Sequence, residues 1–291
     1  MRTSDFFGYA RERYTILRKR RAGHAAPWTS DPVLQQYRFC NVFREDDRVT
    51  EWFRENIRKP LGTGYTRLFR ATVVFRYLNR IETGERIRDP LLTCLTADLL
   101  LGEIEPRLRQ LVQQREKILG PAYMIKTPVG KDKVTGLLEI WRDIFSHEEQ
   151  IVKTARVEQS IRGLTEALAE RHFCGPFMAY EIATDLRHSP FLGRASDTLT
   201  WANPGPGAMR GAARVLGDEA SSLSRGNTGD VDLVQSIMGE LLSASRNNAH
   251  WPSGWPRWEL REVEHTLCEF DKYERARTGE GRPKQLYKGR A

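Results

Sequence analysis

An all-α fold is the prediction for this chain, and three observations make it. Apolar residues return every three or four positions over most of the length, strand-type alternation is nearly absent, and the apolar stripes are separated by Pro, Gly and Asp punctuation. With 291 residues, 40% of them hydrophobic, the chain can build one large helical domain or two closely packed helical subdomains.

Residues 1–30 are basic, with Arg11, Arg13 and the run Arg18-Lys19-Arg20-Arg21, and end in a loop-like Gly-His-Ala-Ala-Pro-Trp-Thr stretch. They read either as an arm that touches a polyanion or as a solvated helix at the entrance of the fold. Residues 31–291 are expected to form a single catalytic domain, since no internal repeat and no long linker divides them. Helical spacing first appears in Val49, Trp52, Phe53 and Ile57, then in Leu68, Phe69, Thr72, Val73 and Arg76. Asp89-Pro90 reads as a helix start, and Leu99, Ile104, Leu108, Leu111 and Ile118 carry a stripe to a Gly120-Pro121 stop. Lys131-Asp132-Lys133 precedes the stripe Val134, Leu137, Leu138, Trp141 and Ile144. A further helix with Val157, Ile161, Leu164 and Leu168 ends near Arg171. Residues 217–230 read as a surface loop, Asp230 as the cap of a helix carrying Val231, Val234, Ile237 and Leu241, and the Trp251–Trp258 turn leads to a last helix with Val263, Leu267 and Phe270.

Forty-six Lys and Arg against 38 Asp and Glu leave a net charge of +8, which favours a polyanionic partner such as nucleic acid. Cys40, Cys94, Cys174 and Cys268 are scattered without a CxxC pair, so neither a zinc site nor a cysteine-ligated iron–sulfur cluster is expected. They read as reduced thiols of a cytoplasmic protein. No signal-peptide or membrane-length apolar run is present, and no membrane partner is expected. The GxxxxGK[ST] phosphate loop is absent, which argues against a kinase or a nucleotide-driven motor, and HExxH and Ser–His–Asp templates do not apply.

Four polar constellations remain. His172-Phe173-Cys174-Gly175 forms a hairpin from which Pro176 opens the next helix. Glycine permits close backbone approach, proline suits the first helical position, and the free N–H groups that follow offer a phosphate seat. On that helix Glu181 and Asp185, four apart, share a face; such a pair binds a metal, orients an amine, acts as a base, or simply pairs with a nearby cation. Asn41, Arg44, Asp47 and Arg48 share one face if helical, either as a solvated ion-pair patch or as a clamp in which Asp47 holds two guanidiniums against phosphate oxygens. Finally, Trp201-Ala202-Asn203-Pro204-Gly205-Pro206-Gly207 leads towards Arg210 and Gly211, and is either a second phosphate seat or a turn that packing requires.

The hairpin resembles that of helix-hairpin-helix DNA glycosylases, in which it grips the DNA backbone and an aspartate about twenty residues downstream serves the flipped base; Asp197 lies 22 residues after Gly175. The position after Gly175-Pro176 is Phe177, so lyase chemistry has no lysine to use there. More specifically, five strings in order are similar to the alpha-glutamyl/putrescinyl thymine pyrophosphorylases, phage DNA hypermodification enzymes related to those glycosylases. The strings are Asn41…Arg44…Asp47-Arg48, Leu68-Phe69-Arg70…Arg76…Asn79, Gly175 to Leu186, Trp201 to Gly207, and Glu264-His265…Cys268 to Tyr273, and the resemblance spans residues 31–290.

The resemblance implies a glycosylase-like helical fold and a transferase in which an amine or amino acid displaces pyrophosphate from 5-pyrophosphoryloxymethyluracil in double-stranded DNA. A DNA glycosylase for a modified base, or a non-catalytic DNA-binding protein, is the alternative. It further implies Asp197, then Glu181 and Asp185, as carboxylate base; Arg44, Arg48, Asn41, Asp47 and Lys133 as pyrophosphate contacts; and Gly175, Gly205, Gly207 and Arg210 as DNA contacts. Tyr123 and Trp201 would hold a flipped base. No metal ligand and no definite cofactor is assigned, although a divalent ion such as Mg would suit pyrophosphate. A phage-encoded chain would work in the host cytoplasm.

Overall fold

The computed structural model describes residues 1–217 and 223–287, so residues 218–222 of the expected 217–230 loop lie outside the described residues. The described chain is all-helical, as predicted, and its only β-type pairing is an isolated bridge between Tyr37 and Leu286. It divides into two compact units, residues 1–47 with 198–291 (unit 1) and residues 48–197 (unit 2). Both junctions fall inside the 31–291 stretch expected as one domain. Neither shows a linker composition: Arg48 begins a helix directly after Asp47, and Asp197 is itself bonded into unit 2.

The first helix, α1 (Thr3–Arg21), occupies much of the stretch read from its charge as an arm. Its residues Phe6 and Phe7 are fully buried, and its cations gather in the last turn, where the helix dipole favours them. After it come α2 (Pro32–Gln36), capped by Asp31, and a 3₁₀ turn at Arg44–Asp46.

Unit 2 opens with α3 (Arg48–Phe53), which runs through a π turn (Arg54–Arg58) into α4 (Lys59–Leu61). Next is α5 (Tyr65–Leu78), whose residues from Leu68 to Leu78 are all buried. It packs against α6 (Ile81–Thr93), α8 (Lys133–Ser146), α9 (Glu148–Glu158) and α11 (Pro176–Arg187), with α7 (Ala97–Gln113) linking α6 to α8 and α10 (Ile161–Ala169) against α11. Phe53 and Trp52 stack on Phe75, and a Cβ at Gly84 would come within 2.6 Å of Trp52, so the approach of α6 to this aromatic layer requires glycine.

The remaining helices belong to unit 1: α12 (Pro206–Leu216), α13 (Thr228–Ala244) and α14 (Leu260–Thr278). A side chain at Gly211 would collide with the backbone of Leu267, and one at Gly207 with Cys268, so α12 and α14 touch backbone to backbone. Phe6 packs edge-on against Trp258 and Phe270, which ties α1 into the same core.

Several boundaries differ from the sequence-based expectation. Pro90 lies in the last turn of α6 and starts nothing; the carbonyl of Arg86 that its missing N–H cannot serve accepts from Arg107 Nη1 instead, at 3.1 Å. The Leu99–Ile118 stripe ends as helix at Gln113, and Leu99 itself is exposed. The single helix expected through Val157 and Leu168 is two: Gln159 adopts a left-handed conformation, Ser160 caps α10, and Val157 faces solvent. Asn227, not Asp230, caps α13. Among the described residues no helix is long and apolar enough to cross a membrane.

The start of α14 carries a titration consequence. Glu262 forms a capping box with Glu259, and burial pushes its carboxyl up to about 7. A carboxyl raised by folding binds its proton more tightly in the native state, so its contribution is full below the ordinary glutamate range and is lost as pH rises through about 7. Urea midpoints of the parent are therefore expected to fall between pH 4.5 and pH 7 relative to Glu262→Gln, which lacks the titration; parallel profiles would remove this assignment.

Candidate functional site

The chemistry-bearing residues assemble into two polar clusters, one inside each unit. In unit 2 the cluster is built on α11. Gly175 precedes the helix in an extended conformation, Pro176 occupies its first position as expected, and α10 and α11 bracket the turn. Phe173 at the turn has φ of 55° and is partly exposed, as is Phe177. One and a half turns into the helix, Glu181 is buried and accepts a hydrogen bond from the Tyr123 hydroxyl at 2.6 Å. Tyr123 is half-buried and its ring packs edge-on against Phe177. A buried carboxylate is thus linked through a phenol to a more open aromatic surface.

One turn further, Asp185 forms a buried ion pair with Arg76 of α5, whose Nε lies 2.7 Å from Oδ2. Arg76 also donates to Asn79 Oδ1, and Arg58 Nη1 donates to the Asp185 carbonyl. Glu181 and Asp185 share a helix face, but Asp185 is the anion of a structural pair with Arg76. Lys133, at the start of α8, is exposed and donates to the Ile125 carbonyl and Thr127 Oγ1. Arg48, the first residue of α3, is also exposed.

Asp197 closes unit 2. Its carboxylate accepts from Ser160 Oγ at 2.8 Å and from the backbone N–H groups of Ile161 and Arg162, both at 2.9 Å. These are the orphan donors at the start of α10, so the aspartate acts as a cap supplied from 37 residues away in sequence. Asp197→Ala is expected to cost about 1–2 kcal/mol of stability in a denaturant titration, the range for a lost cap. An unchanged midpoint would show that the cap contributes nothing.

In unit 1 the segment 40–47 is not the helix on which the Arg44, Asp47 and Arg48 face depended. Asp47 is extended (φ −77°, ψ 132°) after the 3₁₀ turn, and Arg48 belongs to the following helix of unit 2, so no i, i+3, i+4 face exists. The segment is held by its own polar groups instead. Asn41 donates from its backbone to Asp47 Oδ1 and from Nδ2 to the Asp46 carbonyl, and its Oδ1 accepts from Arg13 Nη2 at 2.6 Å. Arg44 is buried. Burial raises the Asp47 carboxyl to about 6. From α14, Glu269 accepts from the Cys40 N–H at 2.8 Å and pairs with Lys272, whose charge keeps the buried Glu269 ionised below the usual range despite its burial. Sequence reasoning missed Arg13, Cys40 and Glu269 as parts of this cluster; contacts across 27 residues for Arg13 and 229 for Glu269 join them to Cys40, and no local spacing signals that.

The other predicted contacts are also placed. Gly205 N donates to Glu264 Oε1 at 3.2 Å, Gly207 sits at the α12–α14 contact, and Arg210 Nε reaches Asp271 Oδ2 at 2.9 Å. Asp271 is fully buried and also takes Arg214. The packing reading of the Gly205–Gly211 turn therefore accounts for Gly207 and Gly211. Trp201 is half-buried just ahead of it. All four cysteines are free thiols, with no disulfide among the described residues.

Comparison with known proteins places this architecture. Residues 2–282 match the family model described as "5-hmdU DNA kinase, helical domain". The chain is similar to a protein of Bacillus phage SP10 named 5-hmdU DNA kinase, with 25% identity over 271 residues, covering 86% of this chain and 41% of that protein. It thus spans about two-fifths of the length of that relative. No solved structure matches. The family reached is named for a kinase, not for the thymine pyrophosphorylases that the motifs resemble, and the absence of a phosphate loop holds for this chain's own residues. With nearly its whole length matched, the chain belongs to the 5-hmdU DNA kinase helical-domain family.

Proposed function

We propose that this chain is a phage DNA thymine-modification enzyme that works on the 5-hydroxymethyl position of the base, and that its step is displacement of pyrophosphate by an amine. The observation that carries the thymine-modification reading is the family match over residues 2–282 together with the 5-hmdU named for the phage relative; the amine step rests on the motif resemblance alone. The net charge of +8 suits a DNA substrate.

The neutral amine attacks the exocyclic methylene carbon; the carbon–oxygen bond breaks and its electron pair leaves with pyrophosphate. The proton shed by the new nitrogen needs a base. Of the three carboxylates expected for this task, Asp197 caps α10 and Asp185 is neutralised by Arg76, which favours Glu181. Tyr123, bonded to Glu181, supplies a ring against which the base packs. Arg48 and Lys133, both exposed cations of unit 2, are the proposed contacts for charge that develops on the leaving group. Asn41 and Asp47 instead hold the 40–47 segment of unit 1.

Incubating pyrophosphorylated 5-hydroxymethyluracil DNA with a panel of amines and weighing the digested nucleosides tests this. A mass increment matching one amine is expected; unmodified or hydrolysed bases with every amine would end the proposal.

A second reading follows from the relative's name and the family description: the chain is the DNA-holding part of a phosphotransfer enzyme. Phosphate passing from ATP to 5-hydroxymethyluracil DNA only when a kinase segment is added back, with no amine product, would favour it.

A further inference from the structure

We propose that Cys40, Asp47 and His265 form a divalent metal site of zinc class in unit 1. One ligand atom from each residue lies within 4.8 Å of the other two. Some point lies within about 2.8 Å of all three such atoms, so a contraction of roughly 0.5–0.8 Å reaches ordinary zinc bond lengths.

The donor set decides the metal class. A thiolate and an imidazole beside one carboxylate suit zinc and its neighbours and exclude magnesium, which takes oxygen ligands. One thiolate and one carboxylate also neutralise a dication, so the ligand set carries no net charge when filled.

The ligands come from separate places that the fold fixes independently. Cys40 lies in the extended segment after α2, Asp47 follows the 3₁₀ turn, and His265 is on α14. Arg13 of α1 donates to the carbonyls of Phe39 and Cys40, and Glu269 receives the Cys40 N–H, so the backbone that carries the thiol is clamped from two helices.

A second observation points to an occupant. Cys40 also lines a small crevice with Tyr9, Arg13 and Thr266. These three side chains are 5%, 8% and 2% exposed, and Tyr9 Oη, Arg13 Nη1 and Thr266 Oγ1 are buried with no hydrogen-bond partner. Buried donors left without an acceptor are costly, and three of them line the same crevice as the thiol. Three protein ligands leave a tetrahedral zinc ion a fourth position for an oxygen ligand. The site stands independently of which reaction the chain performs.

The test uses the full chain stripped of metal by a chelator and titrated with Co²⁺. One Co²⁺ per chain is expected, with a thiolate charge-transfer band that Cys40→Ser abolishes and Cys94→Ser, in unit 2, keeps. His265→Ala and Asp47→Asn should weaken binding by about tenfold or more. Without any substitution, stoichiometric Zn²⁺ should slow alkylation of Cys40, read on its peptide by mass spectrometry. No charge-transfer band, or Cys40 alkylation indifferent to Zn²⁺, overturns the site.

Discussion

Glu181→Gln is expected to lower the rate of amine transfer by about 10²–10⁴-fold, the usual contribution of a positioned base, and to leave affinity for the modified DNA unchanged. The substitution isolates proton transfer because glutamine keeps the side-chain length and a carbonyl oxygen for the Tyr123 hydroxyl, now 2.6 Å from Glu181. Single-turnover measurements at saturating amine separate the rate from binding. Raising pH should not rescue the variant if the missing group is the base. Equal loss in DNA affinity, with the rate per bound substrate intact, would instead make Glu181 a binding residue. Tyr123→Phe keeps the ring and removes the hydroxyl, so it should fall well short of the glutamine variant's loss.

Asp185→Ala is expected to destabilise unit 2 by about 3–5 kcal/mol, the range for breaking a buried ion pair by removing one partner. Both side chains are nearly inaccessible, and Arg76 would be left as a buried cation among α5 and α11 with Asn79 as its remaining neutral partner. Restoring charge balance with an apolar pair, Arg76→Met with Asp185→Leu, should recover most of the loss, since the pair's desolvation cost disappears with it. Urea titration followed by circular dichroism reads both outcomes. A single variant as stable as the parent would show that the pair contributes little. The contrast with Glu181→Gln is diagnostic: one change should act on rate with the fold intact, the other on the fold itself.

The helices were legible where a short-range signal existed. The Val134–Ile144 stripe predicted α8, and Gly175-Pro176 predicted the start of α11, because apolar periodicity and proline act within a few residues. Pro90 misled because the compensation for its missing N–H comes from Arg107, 21 residues away from the Arg86 carbonyl it serves. Spacing correctly placed Glu181 and Asp185 on one face, yet it held no information on their partners, Tyr123 and Arg76, which are 58 and 109 residues distant. The Arg44–Arg48 face depended on a helix that does not form. Charge alone marked residues 1–30 as an arm, while the apolar Phe6 and Phe7 among those charges place α1 in the core of unit 1. The candidate metal cluster was invisible for the same reason as the ion pair: its residues gain meaning only when α14 returns to the 40–47 segment.

The most direct test of the central claim is the release of labelled pyrophosphate from DNA that carries pyrophosphorylated 5-hydroxymethyluracil. The account predicts release only when both this DNA and an amine are present, with the strand left intact after alkali. Release without amine accompanied by alkali-sensitive abasic sites, or no release under any condition, would contradict it.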